Sequence, residues 1–97
     1  MPADVRKIVS IARNFGRQHF DADANPDELE TFVREVLYAP RELLKAEELG
    51  LVTKSEVAAA LADRVYVWML DRAGIPIEGV SAPIEELVTE LQNALYS

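Results

Sequence analysis

The chain has 97 residues, of which 49% are apolar, and it carries a formal charge of −7 at pH 7. The apolar fraction is too high for a disordered tail, and the absence of cysteine excludes disulfides, thiolate metal sites and cysteine nucleophiles. We therefore expect a single domain over residues 1–97, with a negative charge that opposes binding to nucleic acid and to anionic membranes.

The first predicted helix runs from about Asp4 to about Phe20. Apolar residues recur there at the three-to-four spacing of one helix face, and Gly16 weakens its last turns by up to about 1 kcal/mol relative to alanine. Three basic side chains lie on another side and are called the arginine strip below: Arg6, Arg13 and Arg17. Because the rest of the chain is acidic, this basic helix is expected either to pack beside acidic helices or to contact an acidic partner.

The segment that follows resembles a calcium loop but predicts a helix start. Residues 21, 23 and 25 match the first three ligand positions of an EF-hand loop, yet Pro26 stands where that loop needs glycine and Phe32 where it needs glutamate. Asn25, Pro26 and Glu28 instead fit the N-cap, the first helical position and a capping box. His19, the single histidine, lies nearby, but one histidine and two carboxylates are a poor ligand set, so no metal site is predicted.

The second helix carries an apolar stripe from Leu29 to Leu37 and is predicted to end at Tyr38, because the residue before Pro40 avoids helical angles. Pro40 can begin a short third helix, and Gly50 is a suitable residue at its end.

The fourth and fifth helices complete the architecture. Thr53 and Glu56 form a capping box that begins the fourth helix, which should end at Ala73, and Ser81 is predicted to cap the fifth. Residues 65–70 are apolar nearly all round, so the fourth helix should lie in the middle of the fold. The sequence therefore predicts an all-α, compact bundle of about five short amphipathic helices with a central apolar helix.

Residues 46–53, AEELGLVT, place a tight turn with Gly50 between two predicted helices. This pattern resembles the DNA-binding helix-turn-helix motif over about 20 residues, and it implies a nucleic-acid-binding regulator using residues 41–72. The motif usually has an apolar residue six positions after the glycine, where this chain has Glu56. The helix beginning at Lys54 also lacks the Arg, Asn or Gln side chains that read base edges.

Catalysis and membrane binding find little support in the sequence. There is no G-x-S-x-G, no glycine-rich phosphate loop and no H-E-x-x-H, so we predict no enzyme, no cofactor and no small-molecule substrate. The longest solid apolar run, residues 65–70, is far shorter than the roughly 20 residues that cross a bilayer. The amino-terminal segment lacks the apolar region of a secretory signal, which predicts a cytoplasmic protein.

Tyr66 and Trp68 are the most informative apolar residues. Tyrosine and tryptophan are enriched at protein interfaces, and a helix that is apolar all round needs neighbours on every side. Two interpretations stay open: a fully buried central helix, or a face that binds a partner or a second copy. The last helix can likewise pack in cis or cross to a second copy.

These observations favour a small acidic protein–protein interaction or assembly module, an adaptor or an oligomer that self-associates, with the arginine strip, Tyr66 and Trp68 as contact residues. The alternatives are a nucleic-acid-binding regulator that uses the helix-turn-helix-like residues 41–72 or the arginine strip of the first helix, and an acidic inhibitor protein that imitates nucleic acid.

Overall fold

The computed structural model describes residues 4–38 and 43–96, and it confirms the all-α bundle. Five α-helices and one 3₁₀ turn occur in these residues, and no strand does. They are α1 (Val5–Phe20), α2 (Pro26–Tyr38), α3 (Leu43–Glu48), α4 (Lys54–Ala73) and α5 (Ile84–Tyr96), with the 3₁₀ turn at Ile77–Gly79. The predicted role of Pro40 in starting α3 lies outside the described residues.

Three helices begin at side chains that accept hydrogen bonds from otherwise unpaired backbone amides. The Asp4 carboxylate accepts from the Lys7 amide at 3.1 Å. The Asn25 side chain accepts from the amides of residues 27 and 28 at 2.9 and 3.1 Å. Thr53 and Glu56 form the predicted capping box, with reciprocal bonds of 3.1 and 3.0 Å. Each bond satisfies a donor that the first turn leaves free, which is why these residues fix the helix starts.

Two details of the helix starts differ from expectation. The prediction of Ser81 as a cap is wrong, because α5 begins only at Ile84. Two further residues, Ala82 and Pro83, separate Ser81 from the helix. The proline disfavours helical angles at Ala82, so the helix cannot begin directly after Ser81. The Glu28 carboxylate, which could have completed a capping box with Asn25, accepts a hydrogen bond from Arg72 of α4 at 2.9 Å.

The predicted central position of the fourth helix is observed, because α4 contacts each of the other four helices. Its inward face contributes several of the most completely buried side chains, among them Val57, Leu61, Val65 and Met69. The last helix, α5, packs against α1 and α4 of the same chain, which is the cis arrangement. Its Leu87 and Leu91 are fully buried.

Gly16 marks the close approach of α1 to α4. The helix continues through this glycine to Phe20, and the residue is buried. A β-carbon built there would lie 3.0 Å from the Met69 sulfur, closer than ordinary packing allows. The glycine therefore weakens α1 locally but lets the two helices come together, which explains its place in an otherwise regular helix.

The outer side of α4 is not covered. Val67 is 43% exposed and Trp68 is half-buried, although the sequence from Val65 to Leu70 is apolar throughout. The interpretation of a fully buried central helix is therefore wrong for this side, because the other helices of the described chain pack against its remaining faces. None of the helices in residues 4–38 and 43–96 is long and apolar enough to cross a membrane.

Candidate functional site

The exposed side of α4 forms one wall of a shallow groove, and Phe32 of α2 forms part of the other. The groove has a volume of about 420 Å³ and is open to solvent. We call it the aromatic groove, and its lining residues are Phe32, Asp63, Arg64, Val67, Trp68 and Asp71. Its apolar floor and charged rim are the arrangement that protein–protein contact surfaces show.

Trp68 is held in place by neighbours on two sides. Its ring stacks on Phe32, with 5.5 Å between ring centroids and 22° between ring planes. The Arg72 guanidinium carbon lies 4.6 Å from the indole centroid, within cation–π range, and the same guanidinium pairs with Glu28 at 2.9 Å. These contacts join α2 to α4. They fix the indole before any partner arrives, so less side-chain entropy is lost on binding.

A second depression, of about 260 Å³, adjoins the groove on the α2 side and shares Phe32 and Trp68 with it. The aromatic pair therefore forms a ridge between two hollows. Glu28, Glu35 and Arg72 contribute the charged lining of this second hollow. A ridge of two stacked rings between hollows is a shape that another protein surface can enclose, as anchor residues at interfaces require.

The charged residues of the groove follow a definite order along α4. Arg64 and Asp71 lie one helical turn before and after the Val67–Trp68 centre, and all four residues fall on one face because their spacing is i, i+3, i+4 and i+7. Asp63 lies on the flank of that face. The centre is thus apolar, with Arg64 and the flanking Asp63 towards the start of the helix and Asp71 towards its end.

Tyr66 does not lie on this surface, and its assignment as a contact residue beside Trp68 needs correction. It is 8% exposed and packs into the core, where its ring lies 5.5 Å from the Phe20 ring and 6.5 Å from the Phe15 ring. Residues two apart on a helix point to nearly opposite sides, so Tyr66 and Trp68 cannot share a face. Tyr66 is a core residue, whereas Trp68 belongs to the groove.

The arginine strip is largely engaged within the chain. Both Arg13 and Arg17 pair with Asp23, at 3.3 and 3.0 Å, and the Arg13 Nε also donates to the Ala24 carbonyl at 2.9 Å. Arg6 is exposed near the start of α1. Two of the three arginines therefore fasten the loop between α1 and α2, and the single negative charge of Asp23 offsets one of their two positive charges, which reduces what the strip offers to an outside partner.

The Asp23 carboxylate is exposed, yet hydrogen bonding from Arg17, and then the charges of Arg17 and Arg13, hold its pKa below the ordinary 3.8. A carboxyl whose pKa is lower in the folded state stabilises that state above its unfolded pKa, and this contribution is lost as pH falls through the folded pKa. We therefore expect Asp23→Asn to show a slightly smaller loss of stability than the wild type between about pH 5 and pH 2.

Urea midpoints at these two pH values measure the effect, with Glu90→Gln, an exposed acid on α5, as the control. An Asp23→Asn variant that loses as much stability on acidification as the control does would contradict the expectation.

The turn that resembles a helix-turn-helix motif has one exposed leucine on each side of Gly50. Leu49 is 64% and Leu51 is 74% exposed, and Gly50 has a φ of 76°, which favours glycine. The Glu56 carboxylate, at the start of α4, is used in the capping box. Apolar side chains at the turn and an acid at the helix start are unfavourable for contact with phosphates.

The segment that resembles a calcium loop and the single histidine are accounted for by local contacts. Asn25 caps α2, Asp23 pairs with two arginines, and the His19 ring lies 4.5 Å from the Phe15 ring. In the part of the chain that the structure describes, no group of three His, Cys, Asp or Glu side chains is placed to hold a metal ion.

A tyrosine at the end of α5 is a further titratable group. Burial raises the pKa of the Tyr96 phenol, and the negative charge of Glu47 on α3 raises it further. The Lys54 ammonium lies 5.3 Å from the centre of the same ring. These contacts hold the end of α5 near the end of α3 and the start of α4, and they stabilise the packing of the three helices.

The comparisons with known proteins add no family to this description. The chain matches no protein-family model, no curated protein and no solved structure. We therefore infer the function from the aromatic groove and the residues around it.

Proposed function

We propose that this chain is a non-enzymatic, cytoplasmic protein–protein interaction module that self-associates through the aromatic groove. The observation that carries the proposal is the exposed Val67 beside the stacked Phe32–Trp68 pair. A helix surface of this kind is costly to leave in water, and covering it with another protein surface recovers the hydrophobic free energy.

The setting of Val67 distinguishes it from the other exposed large apolar side chains of the described residues. Leu49 and Leu51 lie in the turn before α4, and Ile77 lies in the 3₁₀ turn. Val67 lies on the longest helix, which is held by four others, and it adjoins an aromatic ridge. Rigid aromatic anchors contribute most to binding when their side chains are already ordered, which supports this face as the contact surface.

The charges support a protein partner over nucleic acid. The chain carries −7 overall, and Arg13 and Arg17 are paired with Asp23. Arg72 is also paired, with Glu28. Release of counterions by free basic residues provides most of the non-specific affinity for nucleic acid, and four arginines of the described residues are already paired with carboxylates of the same chain.

Light scattering behind a sizing column, at two protein concentrations about tenfold apart, tests the proposal. We expect the mass of the wild type to rise above that of a monomer with concentration, and Val67→Glu to remain monomeric because a charge enters the apolar centre of the contact. Ile77→Glu is the matched control, since Ile77 is 48% exposed and Val67 is 43% exposed. Loss of association in both variants, or in neither, would count against the groove as the contact surface.

A further inference from the structure

We propose that the occupant of the aromatic groove is a second copy of this chain, bound through α4 in antiparallel orientation about a two-fold axis between Val67 and Trp68. This inference rests on the proposed function and deepens it by giving the orientation of the two copies and the residues that pair between them. It comes from the order of charges along α4, which is complementary to itself when the helix is reversed.

The pairing follows from the numbering of the exposed face. In an antiparallel pair with its axis between residues 67 and 68, the numbers of two facing residues, one from each copy, add up to 135. Arg64 of one copy therefore lies level with Asp71 of the other. The two-fold axis repeats this relation, because an isologous interface contains every contact twice. Val67 of each copy then lies level with Trp68 of the other copy at the centre, between two ion pairs separated by roughly 10 Å along the helix.

The same face disfavours the parallel orientation. Two α4 helices in parallel register would place Arg64 against Arg64 and Asp71 against Asp71 of the second copy, and like charges in direct contact at an interface repel each other. The antiparallel orientation replaces both repulsions with attractions. It also opposes the two helix dipoles, which is the more favourable arrangement of neighbouring helices.

The rest of the groove is compatible with this occupant. Arg64 and Asp71 have no ion pair within the described chain, unlike Arg13, Arg17, Arg34 and Arg72. Both are exposed. Arg72, which lies next to the groove, already makes a cation–π contact with Trp68 and an ion pair with Glu28. Arg64 and Asp71 are therefore available for the proposed contact, and Asp63 at the flank of the groove is also without an ion pair in the described chain.

Charge reversals test the orientation directly. Arg64→Asp and Asp71→Arg are made separately, together in one chain, and as an equimolar mixture of the two single variants. Association is measured by sedimentation equilibrium at about physiological ionic strength, because two chains of charge −7 repel each other strongly at low salt. Lys7→Asp and Glu90→Arg are the matched controls, since both are exposed, lie on other helices and change the net charge by the same amounts.

We expect each single reversal to weaken the dimer at least tenfold, since it turns both ion pairs into like-charge contacts. The double variant should regain wild-type association as a homodimer, and the mixture should regain it as a heterodimer. The two controls should associate as the wild type does.

Three results would overturn the pairing: a monomeric wild type, single reversals that associate normally, or a mixture that fails to recover. The Val67→Glu variant distinguishes failure of the antiparallel pairing from failure of the proposed function. If Val67→Glu abolishes association while the reversals do not, the groove binds a second copy in another orientation, and the proposed function stands. If the wild type is monomeric at every concentration, self-association fails together with the pairing.

Discussion

Leu61→Ala is expected to lower the free energy of unfolding by about 2–5 kcal/mol, which is the typical cost of removing a fully buried leucine. Leu61 is 0% exposed and belongs to the single core cluster that joins α1, α2, α4 and α5. The loss has two parts: the apolar surface no longer buried, and the cavity that the surrounding helices cannot close. For a domain of this size it is a large fraction of the total stability.

Urea denaturation followed by Trp68 fluorescence measures the change. Val67→Ala is the matched control on the same helix, because Val67 is exposed and its truncation should change the stability by less than about 0.5 kcal/mol. Equal destabilisation by the two substitutions would contradict the division of α4 into a buried face and a groove face. The comparison is made at a concentration where the wild type is monomeric, so that dimer formation does not add to the measured stability.

Most of the fold could be predicted because its signals are local. Helix starts depend on a few side chains that bond to nearby amides, and Asn25 and Thr53 both do so where their sequence context indicates. Ser81 was misleading because Pro83 restricts the residue before it and delays the helix. The sequence shows that Gly16 weakens its helix, but it does not show why a glycine stands there. The close approach of Met69, which lies 53 residues away in the sequence, requires it.

The candidate site could be predicted only in part. Trp68 stood out by residue type, and its half-exposed position agrees with that signal. Grouping it with Tyr66 was an error of periodicity, since residues at i and i+2 of a helix do not face each other. Phe32 lies within the apolar stripe predicted from Leu29 to Leu37, and local periodicity could not show that its ring meets Trp68. The partners of the arginine strip were equally hidden, because the turn at Asp21, with a φ of 54°, brings Asp23 back to α1.

Trp68→Ala is expected to destabilise the fold by about 2 kcal/mol and to abolish self-association at the same time. The substitution removes a half-buried indole together with the stacked contact to Phe32 and the cation–π contact to Arg72. Val67→Glu should abolish association with little effect on the fold. The two variants therefore separate the role of the aromatic ridge in holding α2 to α4 from its role as a contact surface.

Unfolding of Trp68→Ala is followed by far-ultraviolet circular dichroism, because Trp68 is the one tryptophan of the chain. A double-mutant cycle with Phe32→Ala isolates the stacked contact, and a coupling of about 0.5–1.5 kcal/mol is expected for an aromatic pair of this geometry. A coupling near zero would mean that the two rings stabilise the protein independently. In that case α2 and α4 would be held together by the core beneath them, and the ridge would be free to rearrange when a second copy binds.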